Sequence, residues 1–235
     1  MPIKALTFDI DDTLWDNTPV MAHVEPCHYD WLDAQTGLAR RVSLEEYHQR
    51  RLAFAQAHPE RRGDFTWIRQ QVLYALLKEH GLEEARARAL AERTVHYMLA
   101  LRHQVTPFEE VEPMLDAFGQ RYRMAVITNG NVDVRRLPLG RHFDAVFNAG
   151  EECMPKPDPR IFAKALDALG NIAPEDAIHI GDSWTEDALA AHAAGLQAVW
   201  IDVHNLQREC PAGIHRIRHV RELPALLAKI TAKAE

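Results

Sequence analysis

Five short apolar runs, each followed within two residues by Asp, Thr or Asn, predict the buried strands of a parallel sheet. The runs span residues 3–8, 124–127, 145–147, 177–180 and 198–201. Helical patterns separate most of them, at about residues 110–118, 158–169 and 185–194. This alternation is typical of an α/β fold with helices on both faces of the sheet. Because ligands of such sheets bind at the carboxyl ends of the strands, the polar residues are predicted to share one site.

The segment from residue 17 to residue 105 follows a different pattern and has no comparable strand signal. Ser43-Leu44-Glu45-Glu46 has the sequence of a capped helix start. Two apolar stripes at helical spacing follow: Trp67, Val72, Leu73, Leu76 and Leu77, and then Leu90, Val95, Met98 and Leu99. A segment of about ninety residues is far too long for an ordinary connection. We therefore predict an all-helical domain at 17–105, inserted into an α/β core formed by 1–16 and 106–235.

The composition narrows the class of protein. The chain of 235 residues, 47% hydrophobic and 26% charged, is long enough for a sizeable core. Its formal net charge of −7 provides no basic field to attract nucleic acid. No apolar run approaches the roughly 18–20 residues of a membrane helix. Cys27, Cys153 and Cys210 have no C-x-x-C spacing, which favours free thiols in a reducing compartment. We predict a cytoplasmic protein, monomeric or homodimeric, without nucleic-acid or membrane partners.

The most informative segment is Asp9-Ile10-Asp11-Asp12-Thr13, directly after the first predicted strand. Two carboxylates crowded at the end of a strand repel each other, so a bound cation or a chemical role explains them better than a solvated acidic turn does. Asp9 is suited to attack phosphorus as a carboxylate nucleophile. Asp11 is suited to protonate the leaving group and then to activate water.

This segment resembles the first motif of the haloacid dehalogenase superfamily, and three later segments resemble its other motifs in the same order. They are Thr128-Asn129-Gly130, Lys156 within Pro155-Lys156-Pro157-Asp158-Pro159, and Gly181-Asp182-Ser183 with Asp187. The resemblance covers the whole predicted core and implies a Rossmann-like, doubly wound parallel sheet. The position of the insert, between the first two motifs, resembles the helical-cap subclass.

The resemblance implies which residues carry out the chemistry. Asp9, Asp11 and Lys156 are expected to be catalytic, because the Lys156 ammonium suits both the phosphoryl group and the Asp9 intermediate. Thr128, Asn129 and Lys156 are expected to bind the phosphate oxygens. Taken alone, Thr-Asn-Gly also fits a simple turn, and Lys156 also fits a surface lysine in a proline-rich loop.

Magnesium is the cofactor that the resemblance implies. The ion is expected to bind Asp9, Asp182 and the backbone carbonyl of Asp11, since Mg²⁺ prefers oxygen ligands. The residues expected to support these ligands from behind are Asp187, Thr13 and Ser183. Asp187 also fits an ordinary acid on the surface of a helix, and Ser183 also suits a helix cap.

We predict a magnesium-dependent phosphatase that hydrolyses a small-molecule phosphomonoester through an aspartyl-phosphate intermediate. The dehalogenases of the superfamily generally lack an acid at the position of Asp11, because a leaving halide needs no proton. Asp11 therefore favours hydrolysis of a phosphate ester. A 2-haloacid dehalogenase, a phosphomutase and a non-catalytic protein that binds a phosphate ligand are the alternatives.

The substrate is less closely defined by the chain. The opening Leu14-Trp15-Asp16-Asn17, the length of the insert and the run at 127–131 resemble a bacterial subgroup acting on FMN or 5-amino-6-(5-phosphoribitylamino)uracil. Trp67 is suited to stack on a flat ring and Arg69 to bind a polar group, although both also fit the core of a helical domain. Trp15 is expected to line the site entrance or to pack at a hinge. His179 is expected to contribute to sheet packing.

Overall fold

A computed structural model describes residues 2–61, 63–152 and 154–232. Arg62 and Cys153, one of the predicted free thiols, lie outside the described residues, whereas Cys27 and Cys210 are free cysteines. The chain divides into two compact units, one formed by Met1–Asp16 with Thr106–Glu235 and the other by Asn17–Val105. Each unit has a hydrophobic core of its own.

The unit Asn17–Val105 is built from long helices. They are α1 (Asn17–Thr36), α2 (Leu44–Ala57), α3 (Phe65–Glu79) and α4 (Glu84–Arg102). The side chain of Ser43 accepts a hydrogen bond from the first turn of α2, and that of Asp64 does the same for α3. The predicted apolar stripe of α3 is buried from Val72 onward, but Ile68 takes the place of Trp67, because Ile68 lies one turn before Val72 on the same helix face.

A largely buried carboxylate joins three of these helices. Glu25 on α1 accepts hydrogen bonds from both terminal nitrogens of Arg51 at 3.1 Å and from Arg69 at 2.6 Å. His48 adds a contact of 3.0 Å from its Nε2. Burial alone would raise the pKa of Glu25, but Arg69 and Arg51 outweigh it and lower the pKa from 4.5 to about 2. The group therefore stays ionised and holds α1 against α2 and α3.

The other unit contains one parallel sheet, which has six strands in the described residues. The strands are β1 (Ala5–Phe8), β2 (Arg123–Thr128), β3 (Ala145–Asn148), β4 (Ala177–Gly181), β5 (Gln197–Ile201) and β6 (Ile214–Ile217). Their order, β3-β2-β1-β4-β5-β6, is that of a Rossmann-type doubly wound sheet. The first five match the predicted apolar runs. The sixth was not predicted, because only its two end residues are buried and its centre is polar.

The register of the central strands brings their carboxyl ends together. Phe8 at the end of β1 pairs with Val126 of β2 on one side and with Ile180 of β4 on the other. All of β1 is buried, as expected for a strand covered on both faces. Because β2 ends at Thr128 and β4 at Gly181, soon after these pairs, the residues that follow β1, β2 and β4 leave the sheet at the same edge and close to one another.

The helices of this unit flank the sheet. They are α5 (Val111–Gly119), α6 (Ala149–Glu152), α7 (Pro159–Ala168), α8 (Ala190–Ala193) and α9 (Leu223–Ala232). The helix predicted at 185–194 is instead a π-helical turn, Trp184–Leu189, followed by α8. The turn is wide because the Ala188 N–H binds the Ser183 carbonyl five residues earlier. In the described chain, every helix is too short or too polar to cross a lipid bilayer.

The Glu25 cluster predicts a pH-dependent contribution to stability. Glu25→Gln should lower the free energy of unfolding by about 3 kcal/mol at neutral pH, because two guanidinium groups lose their partner. Folding lowers the pKa of Glu25, so its stabilisation is complete above pH 4.5 and is lost as the pH falls towards 2. The difference in melting temperature between wild type and variant should therefore shrink between neutral pH and about pH 3.5.

Glu79→Gln is the matched control for this measurement. Glu79 also pairs with an arginine, Arg50, at 2.6 Å, but its side chain is 56% exposed. An exposed pair contributes little, so this variant should melt close to the wild type at both pH values. Equal destabilisation by the two substitutions would contradict the assigned role of Glu25.

Candidate active site

Loops from three strands converge on one side chain, that of Lys156. Its Nζ donates hydrogen bonds to Asp9 Oδ1 at 2.9 Å and to Asp187 Oδ1 at 2.5 Å. Asp9 directly follows β1, Asp187 lies in the π-helical turn after β4, and Lys156 lies between α6 and α7. All three residues are buried, and Lys156 is only 2% exposed. One buried ammonium thus joins segments that are far apart in the sequence.

Asp182 adds a third carboxylate to this group. Carboxylate oxygens of Asp9, Asp182 and Asp187 lie within 4.8 Å of one another. The backbone at Asp182 is held by Trp200, whose Nε1 donates to the Asp182 carbonyl at 2.8 Å. Three carboxylates therefore face a single lysine, and the site has an excess of negative charge.

The pKa values of these groups reflect burial and crowding. Burial, with a further rise from Asp187, brings the pKa of Asp9 to about 7 against the attraction of Lys156. Burial and the nearby Asp9 raise the pKa of Asp182 to about 8. Burial would also raise the pKa of Asp187, but Lys156 and His179 hold it well below its ordinary value. Burial would lower the pKa of Lys156, but its two carboxylate partners raise it. Asp187 and Lys156 are therefore a charged pair.

Asp187 is a poorer candidate cation ligand than Asp9 or Asp182, because both of its carboxylate oxygens already accept hydrogen bonds. Its Oδ1 accepts from Lys156 and His179, and its Oδ2 accepts from the Ser183 N–H at 2.9 Å. Within the described residues, the Asp182 carboxylate accepts no hydrogen bond. An oxygen-only donor set with surplus negative charge fits a hard divalent cation, which Asp9 and Asp182 would hold.

The loop after β2 lies against Asp11. Thr128 Oγ1 accepts a hydrogen bond from the Gly130 N–H at 2.9 Å, and Asn148 Nδ2 donates to the Gly130 carbonyl at 2.7 Å. A Cβ atom at Gly130 would lie 2.5 Å from Asp11 Oδ2, closer than carbon and oxygen approach without bonding. Glycine at this position therefore lets the Thr128 loop approach the Asp11 carboxylate.

The side chain of Asn129 binds the loop that contains Lys156. Its Oδ1 accepts from the Lys156 N–H at 2.7 Å, and its Nδ2 donates to the Lys156 carbonyl at 2.9 Å. The same Nδ2 also donates to Glu186 Oε2 at 2.9 Å. The side-chain amide of Asn129 is thus hydrogen-bonded within the protein. The predicted contact of Asn129 with phosphate would therefore use its backbone N–H. Glu186 was not predicted, because its only signal in the sequence is its position beside Asp187.

The turn after β1 fixes the carboxylate of Asp11. Trp15 Nε1 donates to Asp11 Oδ1 at 3.0 Å, while Asp12 turns the chain with a left-handed φ of 56°, a conformation that Asp tolerates. Trp15 is completely buried, so the expectation that it lines an entrance is wrong and its ring packs at this turn. Thr13 is buried as well, and its Oγ1 has no hydrogen-bond partner among the described residues.

The turn after β4 is shaped around Asp187. Ser183 Oγ accepts from the Glu186 N–H at 3.2 Å, which caps the π-helical turn. A Cβ atom at Gly181 would lie 2.3 Å from the Asp187 carboxyl carbon. Gly181 therefore makes room for the Asp187 side chain to fold back over the end of β4.

Two further polar residues reach this site from inside the sheet. His179 Nδ1 lies 2.8 Å from Thr7 Oγ1, and His179 Nε2 lies 3.0 Å from Asp187 Oδ1. His179 also packs edge-on against Phe162, as its predicted packing role implies. The hydrogen bonds of His179 were not predicted. Their signal is one polar residue in each of two apolar strands, at positions that the register pairs.

The two substrate candidates of the helical unit have protein partners. Arg69 is buried and donates to Glu25. Trp67 is half-buried, with its ring 5.3 Å from that of Phe54 and with the Arg61 guanidinium 4.6 Å from its centre. Both residues contribute to packing within this unit, and their contact with a substrate stays a prediction.

Comparison with known proteins identifies the family. Residues 3–195 match the family model of haloacid dehalogenase-like hydrolases. The chain is 30% identical to the 5-amino-6-(5-phospho-D-ribitylamino)uracil phosphatase YigB of Escherichia coli, over 86% of this chain and 85% of that protein. It is also 30% identical to a phosphoserine phosphatase of Thermus thermophilus, over 85% of this chain and 89% of the relative. These relatives bear out the predicted enzyme class, a phosphatase of this family.

Solved structures agree with this relationship. A protein of Pseudomonas syringae pv. tomato, named 2-haloacid dehalogenase, is 33% identical with a TM-score of 0.89, covering 97% of this chain and 99% of that one. A phosphatase of the same superfamily from Thermococcus onnurineus is 25% identical with a TM-score of 0.66, covering 96% and 98% of the two chains. With most of its length matched by the family model and by these relatives, the chain belongs to the haloacid dehalogenase-like hydrolase family.

Proposed function

We propose that the chain is a magnesium-dependent phosphatase that hydrolyses a small phosphomonoester through a phosphorylated Asp9. One observation carries this proposal: the buried carboxylate of Asp9 binds Lys156, and a second acid, Asp11, follows two residues later at the same strand end. The first carboxylate suits attack on phosphorus, and the second suits proton transfer.

The proposed reaction has two steps. In the first, a carboxylate oxygen of Asp9 attacks phosphorus, the bond from phosphorus to the ester oxygen breaks, and Asp11 protonates the departing oxygen. In the second, Asp11 takes a proton from water while the water oxygen attacks phosphorus, and the bond from phosphorus to Asp9 breaks. Inorganic phosphate and the free Asp9 carboxylate result. The hydrogen bond from Trp15 supports this role, because it orients Asp11 for both transfers.

Other residues of the site are proposed to bind the phosphoryl oxygens. The Lys156 ammonium lies beside Asp9, where negative charge develops in both steps. The Thr128 hydroxyl and the Asn129 backbone N–H are proposed as neutral donors to the same group. The hydrogen bonds from Asn148 and Asn129 hold these loops in place before a substrate binds.

Asp9 and Asp182 are the side chains proposed to hold magnesium, with the Asp11 backbone carbonyl as a further ligand. When bound, the ion neutralises charge between the carboxylates and the phosphoryl oxygens. The oxygen-only donors and the excess of negative charge support this assignment. Thr13 is proposed to stabilise the turn after β1 and Ser183 the turn after β4, whereas Asp187 is proposed to hold Lys156.

The name of the Pseudomonas structure suggests a second candidate reaction, the removal of halide from a 2-haloacid. Such a reaction also needs a carboxylate nucleophile, but a departing halide needs no proton. Asp11 would then have no task, although Trp15 orients it and Gly130 leaves room for it. The geometry of Asp11 therefore supports ester hydrolysis over dehalogenation.

The substrate is proposed to be FMN or the phosphorylated ribitylaminouracil. The similarity to the phosphatase YigB, which extends along most of both chains, supports this choice. Both compounds join a flat ring system to a phosphorylated ribityl chain. Stacking of Trp67 on the ring and a contact between Arg69 and a polar group of the substrate are part of the proposal.

The proposed mechanism predicts different losses from two substitutions of similar size. Asp9→Asn should abolish turnover of p-nitrophenyl phosphate, because an amide cannot act as the nucleophile. Asp11→Asn should lower kcat by about 100-fold or more, because proton transfer is lost. The exposed carboxylate of Asp167 provides the control, and Asp167→Asn should keep wild-type kcat. Release of chloride from 2-chloropropionate, with no phosphatase activity, would instead establish the dehalogenase.

The proposed cation site predicts dependence on magnesium. A chelator should remove the activity of the purified protein, and added Mg²⁺ should restore it. Asp182→Asn should raise the Mg²⁺ concentration needed for half-maximal activity by about tenfold or more, because one of few carboxylate ligands is lost. Titration of activity against Mg²⁺ for wild type and variant measures this shift. Full activity in the presence of the chelator would contradict the proposal.

The substrate proposal predicts a preference that a panel of phosphorylated metabolites can measure. The value of kcat/KM for FMN or phosphoribitylaminouracil should exceed that for simple sugar phosphates by at least about tenfold, a difference of about 1.4 kcal/mol in transition-state binding. Trp67→Leu should narrow the gap if the ring is recognised there. Equal values for flavin and sugar phosphates would remove the flavin assignment and leave the phosphatase intact.

A further inference from the structure

His179 is a buried titratable residue for which the proposed reaction has no task. It lies on β4, is 0% exposed and is enclosed by strand and helix. On the adjacent strand β1, its register partner is Thr7. Its two ring nitrogens have different partners, Thr7 at 2.8 Å and Asp187 at 3.0 Å.

The partners determine the direction of these hydrogen bonds. The Asp187 carboxylate only accepts, so the proton of the neutral imidazole must be on Nε2. Nδ1 is then an acceptor, and the Thr7 hydroxyl donates to it. Burial lowers the pKa of His179 despite its contact with Asp187, which agrees with a neutral ring. The result is a chain of hydrogen bonds from Thr7 through His179 to Asp187.

This chain ends on the ammonium of Lys156. Asp187 Oδ1 is shared by His179 and by Lys156, which in turn donates to Asp9. Asp187 Oδ2 is fixed by the Ser183 N–H. Donors at both oxygens allow one orientation of the Asp187 carboxyl group, and this orientation sets where the ammonium lies relative to Asp9.

Packing alone does not explain a histidine at this position. The neighbouring strand residues Ile178 and Ile180 are apolar, and an apolar side chain beside Phe162 would avoid the cost of burying two ring nitrogens. The two hydrogen bonds offset that cost only because Thr7 and Asp187 stand at matching distances. The position of this polar ring in the sheet therefore depends on its hydrogen bond to the Asp187 carboxylate.

We propose that His179, oriented by Thr7, is a positioning residue that acts through Asp187 to hold Lys156 against the nucleophile. The inference rests on the proposed function, since it assigns Lys156 to the stabilisation of phosphoryl transfer. Neither His179 nor Thr7 touches the reacting atoms. Their effect on turnover passes entirely through the Asp187 carboxylate.

Two variants of His179 test this role with p-nitrophenyl phosphate as substrate. His179→Leu keeps an apolar volume but has no donor, and it should lower kcat and kcat/KM together by about tenfold to 100-fold. His179→Gln can still donate to Asp187, so it should recover much of the loss. Thr7→Val, which has no hydroxyl, should lower kcat by a smaller factor, and Thr7→Ser, which keeps the hydroxyl, should recover much of that loss. Ile178→Val on the same strand is the control for lost packing and should keep kcat.

A double-mutant cycle separates positioning from general stability. In an Asp187→Asn background, His179→Leu should change kcat little, because the group through which it acts is already altered. Melting temperatures of all variants are measured alongside. Additive effects of the two substitutions on kcat would overturn the proposal. So would a His179→Leu variant that melts earlier but turns over at the wild-type rate.

A measurement independent of turnover reports on Lys156 itself. Limited acylation with an N-hydroxysuccinimide ester, followed by mass spectrometry, should label Lys156 weakly in the wild type and more strongly in His179→Leu, relative to exposed Lys78. Ile178→Val should match the wild type. Unchanged labelling in His179→Leu would overturn the positioning role. A wild type that hydrolyses no phosphate would contradict the proposed function, and the labelling result would still decide whether His179 holds Lys156 in place.

Discussion

The site depends on one buried interaction, the ammonium of Lys156 between the carboxylates of Asp9 and Asp187. A charge removed from water is tolerated when it is paired, and here two partners lie at 2.9 and 2.5 Å. These partners are 147 and 31 positions from Lys156 in the chain. The pairing therefore ties together loops that follow β1, β3 and β4, on a sheet whose central parallel strands end at the same edge.

The π-helical turn after β4 holds this lysine from two directions. Glu186 accepts from Asn129, whose amide binds both backbone groups of Lys156, while Asp187 binds the ammonium. Glu186 and Asp187 are consecutive in this turn, and they restrain the backbone and the side-chain ammonium of Lys156, respectively. π-helical turns occur often at functional sites. Here the contacts of Glu186 and Asp187 give a physical reason for the wide turn.

Crowding of acids explains the rest of the site. Two glycines are required where carboxylates fold back on the backbone, at Gly130 beside Asp11 and at Gly181 beside Asp187. The excess of negative charge suits a divalent cation and, with it, a phosphate ester. In the proposed mechanism, Asp11 favours an ester over a halide as the leaving group, because only the ester oxygen needs a proton.

The sequence by itself determined the family and five of the six strands in the described part of the chain. An apolar run is a local property that reports burial directly, whereas β6 escaped because its centre is polar and only its ends are buried. Only the tertiary structure decided what each polar side chain touches. Asn129 binds the Lys156 loop, and His179 meets Thr7 from 172 positions away. Such contacts follow from strand register and from the paths of distant loops, which no pattern of neighbouring residues encodes. The motifs therefore predicted the family, but not the hydrogen bonds that orient their side chains.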